Sequence, residues 1–297
     1  MTVAFQLLPD FLLIAFGALL ARARMFDAGF WSAIERLVYF VLFPALLFRA
    51  LATSPIAIGD AAPLVATGVA FTLAGMLLSA LAQPLLRLPH STFAACFQCG
   101  FRFNTYVALA AASRVGGQEG LALIGLLLGV LVPIVNIAAV GMLARGSETR
   151  VATEIARNPL VVACAAGISW AALGLPLPAV PARILELLAA AALPLGLLAV
   201  GAGLKVSRAT LPWPALVWWN AVKLLALPAL AFVLSDVLGL SPLERKIAVV
   251  MAAVPTAPSA YILAVQMGGG GAPVAMLISS GTLLAAITLP LWISLVS

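Results

Sequence analysis

Charge is what this sequence has least of. Asp, Glu, Lys and Arg make up 9% of its 297 residues, 64% are hydrophobic, and the mean hydropathy is +1.17. A soluble domain carries about 25% charged residues, so the shortage excludes a water-soluble globule and leaves an integral membrane protein. Histidine is scarcer still, with one imidazole, His90, in a connection between apolar stretches. Without clustered carboxylates or a base beside a nucleophile, an intramembrane enzyme has nothing to work with, and no enzymatic activity is expected. Cys96 and Cys99 form a C-x-x-C spacing, but a zinc site needs two more ligands. Neither a metal nor a cofactor is expected. The glycine run at 268–271 lacks the lysine and hydroxyl residue of a phosphate loop and reads as a turn. Long hydrophilic stretches are missing too: the longest connection, Arg145 to Asn158, spans fourteen residues and cannot fold alone.

What is present is apolar length. A hydrocarbon core about 30 Å thick needs about 20 residues of helix, and the chain divides into ten such spans, near 3–21, 30–54, 63–86, 91–113, 119–143, 159–175, 181–204, 213–238, 243–267 and 272–296. The first span lacks a basic leader and a small-residue cleavage site, so it reads as a helix rather than a signal peptide. A net charge of +6 carries topology here rather than nucleic-acid binding. Lys and Arg fall nine on one side and five on the other, with Arg102 and Lys223 inside spans. The positive-inside rule then places both termini outside a cytoplasmic membrane.

The halves 1–144 and 159–297, joined by the cytoplasmic connection 145–158, hold five spans each, so they enter the bilayer from opposite sides. "IERLVYFVLFPALLFRALA" from Ile34 aligns with "ILELLAAAALPLGLLAVGA" from Ile184 at an offset of 150, pairing Pro44 with Pro194. Further along, Gly116 and Gly117 align with Gly268 and Gly269. The expected fold is an all-α membrane protein of ten helices in a 5+5 inverted repeat. In such repeats the binding site lies near the midplane, where corresponding helices break. Span 9 carries "AVPTAPSAY", whose Pro255 and Pro258 each remove a backbone donor and disfavour helix at the residue before. The matching stretch of span 4, "GFRFNTYVALA", places Arg102, Phe103 and Asn104 at membrane depth, with Asn104 over Thr256. A charge retained there faces a cavity, a partner or a substrate. Broken helices present unpaired N–H groups with partial positive charge, which with Arg102 favours an anion. Asn104, Thr105, Thr256 and Ser259 supply neutral hydrogen bonds for a carboxylate. Glu35 and Glu186 read as acids opening spans 2 and 7, complementing the helix dipoles, and as candidate coupling groups. Asp10 and Lys223, within spans, are candidates for protonation or pairing.

At these residues the chain resembles the auxin efflux carrier family, within the larger group that includes the bile acid and sodium symporters. The resemblance rests on "YFVLFPALLFRALA", "FNTYVALA", "RNPLVVACAAG", "LPLGLLAVGAGL" and "VPTAPSAYILAVQMGGG", in that order along nearly the whole chain. It implies a scaffold of spans 1, 2, 6 and 7, through which the protein dimerises, and a mobile domain of spans 3–5 and 8–10. It also implies crossed, broken spans 4 and 9, organic-anion substrates and elevator-like alternating access. The plant carriers have asparagine then proline at both crossovers, whereas here Thr105 follows Asn104 and Thr256 stands in span 9. The short central connection is similar to that of bacterial members, associated with small mono- and dicarboxylates such as malate or malonate. Proton or sodium coupling stays open. So do two other readings, a sodium-coupled organic anion symporter of the bile acid type and a membrane sensor or scaffold that does not transport.

Overall fold

A computed structural model describes residues 3–54, 61–143, 158–204, 211–267 and 270–296, among which every regular element is a helix. Arg145, Arg150, Arg157, Lys205 and Arg208, which weigh in the charge count, lie outside the described residues, as do Gly268 and Gly269. In chain order the helices are α1 (Val3–Arg22), α2 (Ala28–Leu37), α3 (Phe43–Ala52), α4 (Ala62–Leu86), α5 (His90–Phe97), α6 (Thr105–Leu143) and α7 (Pro159–Ala172). They continue with α8 (Ala179–Ala202), α9 (Trp213–Ala221), α10 (Leu227–Val237), α11 (Pro242–Ala253), α12 (Ser259–Gln266) and α13 (Gly271–Leu295). Among the described residues five helical stretches are long and apolar enough to cross a membrane: Ala62–Leu86, the composite His90–Leu143, Ala179–Ala202, Trp213–Val237 and Gly271–Leu295. Pro159–Ala172 is a shorter apolar helix.

Local sequence explains the irregular joints. One π-helical turn, Val38–Leu42, links α2 to α3, and another, Val222–Ala226, links α9 to α10. Each lies just ahead of a proline, Pro44 or Pro228. A proline ring clashes with the carbonyl four residues back and offers it no N–H, and a widened turn relieves that clash. At the second joint the carbonyl four residues before Pro228 belongs to Leu224, and it accepts the Trp292 indole N–H at 2.9 Å instead. Within α6, Gly117 takes φ 55° and ψ −134°, which a Cβ would oppose. Gly120 lies so close to the Ala112 carbonyl that a side chain would overlap it. A straight helix would separate those residues by about 12 Å, so the 39-residue α6 folds back on itself at Gly117.

α1 lies against α8 through glycines: a Cβ on Gly17 would overlap the Leu198 backbone, and one on Gly201 the Ile14 carbonyl. Backbones approach this closely only where side chains are missing. α3 packs on α7 and α8, with Gly167 against the Phe48 carbonyl. Elsewhere α11 is enclosed by α4, α6, α10 and α13, and Ile247 to Val254 are 0% exposed. The outward side of α4 stays apolar, with Leu73, Leu77 and Leu85 exposed.

The structure also corrects the dipole reading of the two acids. Asp27 caps α2, its carboxylate accepting from the Phe30 N–H at 2.7 Å, and neither α2 nor α8 has an acid in its first turn. Glu35 and Glu186 therefore sit too far along their helices to complement the dipoles, because the helices begin earlier than the apolar runs do.

Candidate functional site

Span 4 is broken. After α5 a 3-10 turn, Gln98–Gly100, leads into non-helical Phe101 to Asn104, and α6 restarts at Thr105. Asn104 stops the chain from continuing as one helix by capping the new one: its Oδ1 accepts from the Tyr106 and Val107 N–H groups at 3.0 and 3.3 Å. Span 9 is broken too. α11 ends at Ala253, Val254 is extended at φ −65° and ψ 146°, as a residue before proline prefers to be, and α12 restarts at Ser259 after Pro258.

The two breaks hydrogen-bond to each other. The Asn104 N–H donates to the Pro255 carbonyl at 2.8 Å. The Thr256 hydroxyl donates to the Cys99 carbonyl at 2.7 Å, and Gln98 Nε2 donates to the Ala260 carbonyl at 3.2 Å. Backbone groups released by one break are thus satisfied by the other, the condition under which irregular backbone is tolerated at membrane depth. Phe103 and Pro255 are buried within this crossing, and Pro258 is half-buried.

Arg102 is the charge at the crossing. Its Nη2 donates to Asn136 Oδ1 at 2.7 Å, its Nη1 to Gln98 Oε1 at 2.9 Å and its Nε to Ser259 Oγ at 3.3 Å. All three partners are neutral, so the positive charge is held in place without being cancelled by an acid among the described residues. A second basic side chain is near neither break in sequence but packs on α11: Lys223, 2% exposed in the π turn, donates to the Ala252 carbonyl at 2.6 Å. That carbonyl is at the C-terminal end of α11, the end that favours a cation.

A cavity of about 250 Å³ opens in front of the crossing. One wall is formed by α2 and the adjoining π turn, with Glu35, Arg36, Tyr39 and Phe40, the other by Thr105, Tyr106 and Pro258 to Ser259. Both helix restarts therefore face the same space. Of the residues expected to bind substrate, Thr105 and Ser259 line the cavity. Arg102 reaches it through Ser259. Asn104 (0% exposed) and Thr256 (4%) stand one layer behind, their side chains turned to backbone.

The coupling candidates divide. Glu35 lines the cavity. Asp10 is paired with Arg114 at 3.1 Å, and Glu186 with Arg183 at 2.9 Å on the exposed face of α8. Cys96 and Cys99 are buried free thiols. Among the described residues no group of three or more His, Cys, Asp or Glu could hold a metal ion. Four residues to which the sequence assigns no site role enter here: Gln98, Asn136, Tyr39 and Asn158. Asn158 caps α7 by accepting from the Leu160 and Val161 N–H groups at 3.0 and 3.4 Å, and its Nδ2 donates to the Tyr39 hydroxyl at 3.1 Å. For Gln98, Asn136 and Tyr39 the signal is polarity inside apolar spans, the same that singles out Arg102; for Asn158 it is an asparagine directly before a proline that opens an apolar span.

The family model described as "Membrane transport protein" matches residues 122–293, more than half of the 297-residue chain. No curated protein matches the chain.

Proposed function

Because the chain belongs to this membrane transport family, that of the auxin efflux carriers, we propose that it carries a small organic anion, a mono- or dicarboxylate, across the cytoplasmic membrane. The observation that carries the reading is the cavity bounded by Thr105 and Ser259, where two helix restarts and the uncancelled charge of Arg102 converge. N-terminal helix ends attract anions, and a cation in a water-poor site counts for more than one in bulk.

In this reading ten spans form a 5+5 inverted repeat with both termini outside. The reversal at Gly117 supports it, because it separates the broken stretch that begins at His90 from residues 118–143, a length that suits a span of its own. Elevator-like movement takes α1, α3, α7 and α8 as one body and the crossing as part of another, and a cavity lined by Tyr39 and Val200 on one side and Thr105 and Ser259 on the other supports that division. The first body serves as scaffold and as the surface through which two copies pair. Glu35, an acid on the wall of an anion cavity, supports proton coupling.

Uptake of radiolabelled acetate, malonate and malate into proteoliposomes, with a pH gradient and a membrane potential imposed separately, tests this. Saturable uptake of at least one of them, competed by the others and absent from protein-free vesicles, is expected. No carboxylate flux under any gradient would sink the reading.

A further inference from the structure

Tyr39, Thr105, Tyr106 and Ser259 bring hydroxyls to the cavity lining, and two of them, Ser259 and Tyr39 on the wall opposite, are wired alike. A hydroxyl has one proton to give and two lone pairs that accept. Ser259 Oγ accepts from Arg102 Nε at 3.3 Å. Tyr39 Oη accepts from Asn158 Nδ2 at 3.1 Å. Donor and acceptor cannot be exchanged in the second contact, since Asn158 Oδ1 is committed to the Leu160 and Val161 N–H groups, which leaves only its NH2 to face Tyr39. Among the described residues neither hydroxyl has an acceptor for its own proton, and both residues line the same cavity. Each is therefore a donor in search of an acceptor, one from either packing body.

We propose that Tyr39 is a substrate contact on the α2 side, giving its hydroxyl proton to the carboxylate that Ser259 holds from the crossing side, and that Asn158 is the positioning residue that keeps Tyr39 a donor. This deepens the carboxylate-transport reading and rests on it. A ligand held by one donor from each body is bound most tightly when the two are closed on it, so the bridging pair couples occupancy to the relative position of the bodies. It also sets selectivity. A ligand group that can only accept, a carboxylate, satisfies both hydroxyls, whereas an ammonium or other pure donor satisfies neither.

The test measures binding of acetate, malonate and malate to the purified full-length protein by calorimetry, with the unfolding temperature of each ligand-free variant recorded alongside. Tyr39→Phe and Ser259→Ala each weaken binding of the preferred carboxylate about tenfold, the loss of one hydrogen bond to a charged group, when measured below the ligand-free unfolding temperature of each variant, which Ser259→Ala lowers because it removes an acceptor of Arg102. Asn158→Asp is the decisive variant. An aspartate caps α7 as well as asparagine does, but it has no N–H to give Tyr39 and accepts the phenol proton itself. It should weaken binding about as much as Tyr39→Phe, and add nothing in the Tyr39→Phe background. A purely structural or charge effect of Asn158→Asp would persist in that background and would overturn the positioning role. Wild-type binding that Tyr39→Phe leaves unchanged overturns the proposal alone. A wild-type protein that binds none of the three carboxylates overturns the substrate reading, and this proposal with it.

Discussion

Arg102 and Asn136, thirty-four residues apart, are joined by a 2.7 Å hydrogen bond from guanidinium to amide oxygen. The bond ties the break in span 4 to the second half of α6, while Arg102 Nε ties the same break to α12. One side chain thus fixes three segments, and its charge and its geometry are separable. Arg102→Lys keeps the charge but loses the planar fork. It should lower the unfolding temperature by several degrees, as two lost bonds to a charged donor of about 1.5–3 kcal/mol each require, yet retain carboxylate binding. Arg102→Gln should weaken binding about tenfold or more. Equal loss of binding in both variants would show that Arg102 serves only the fold.

Thr256 makes the crossing itself. Its hydroxyl is spent on the Cys99 carbonyl at 2.7 Å in a site where Thr256 is 4% exposed. Thr256→Val keeps the shape and strands that carbonyl, at a cost of about 1–3 kcal/mol. The unfolding temperature should fall while binding affinity, measured below that temperature, changes less than twofold. An affinity loss of tenfold with unchanged stability would make Thr256 a direct contact.

The break in span 9 is legible from Pro255 and Pro258, because proline acts on its own backbone and needs no partner to be read. The break in span 4 has no proline. Only the alignment of Asn104 over Thr256 and the family resemblance point to it, and its cause, the Asn104 cap on Tyr106 and Val107, is local chemistry that an asparagine offers without declaring. Burial was harder. Asn104 and Thr256 were read as facing a ligand because they are polar, but a polar side chain at membrane depth has two uses, and both residues serve backbone left open by the breaks. Tyr39 and Asn158 escaped notice for the opposite reason: they are 119 residues apart, and only the packing of α7 against the first π turn brings them to 3.1 Å.

Gly17 and Gly201 hold α1 to α8. A Cβ at either meets the backbone of the other helix rather than a side chain that could move, so Gly17→Ala has no low-cost accommodation. It should lower the unfolding temperature by 5 °C or more in detergent, whereas Gly141→Ala, where nothing lies within 4 Å, should not. Equal behaviour of the two would show that the helices separate freely.

Coupling is the sharpest remaining test, because of the candidate acids Asp10, Glu35 and Glu186 it is Glu35 that lines the cavity, together with Thr105 and Ser259. Asp10, held by Arg114 Nε and Nη2 at 3.2 and 3.1 Å, and Glu186, held by Arg183 at 2.9 Å, are not part of that lining. An ionised Glu35 repels an incoming carboxylate, and its protonation removes that like charge, so anion and proton enter together and wild-type uptake should rise as pH falls. Glu35→Gln fixes the neutral form. Its uptake should lose the rise towards acid pH and no longer be driven by an inward proton gradient, while binding at neutral pH is retained or strengthened. Asp10→Asn and Glu186→Gln should keep the wild-type profile. If Glu35→Gln still follows the wild-type pH profile in proteoliposomes, the proton is not carried at this cavity.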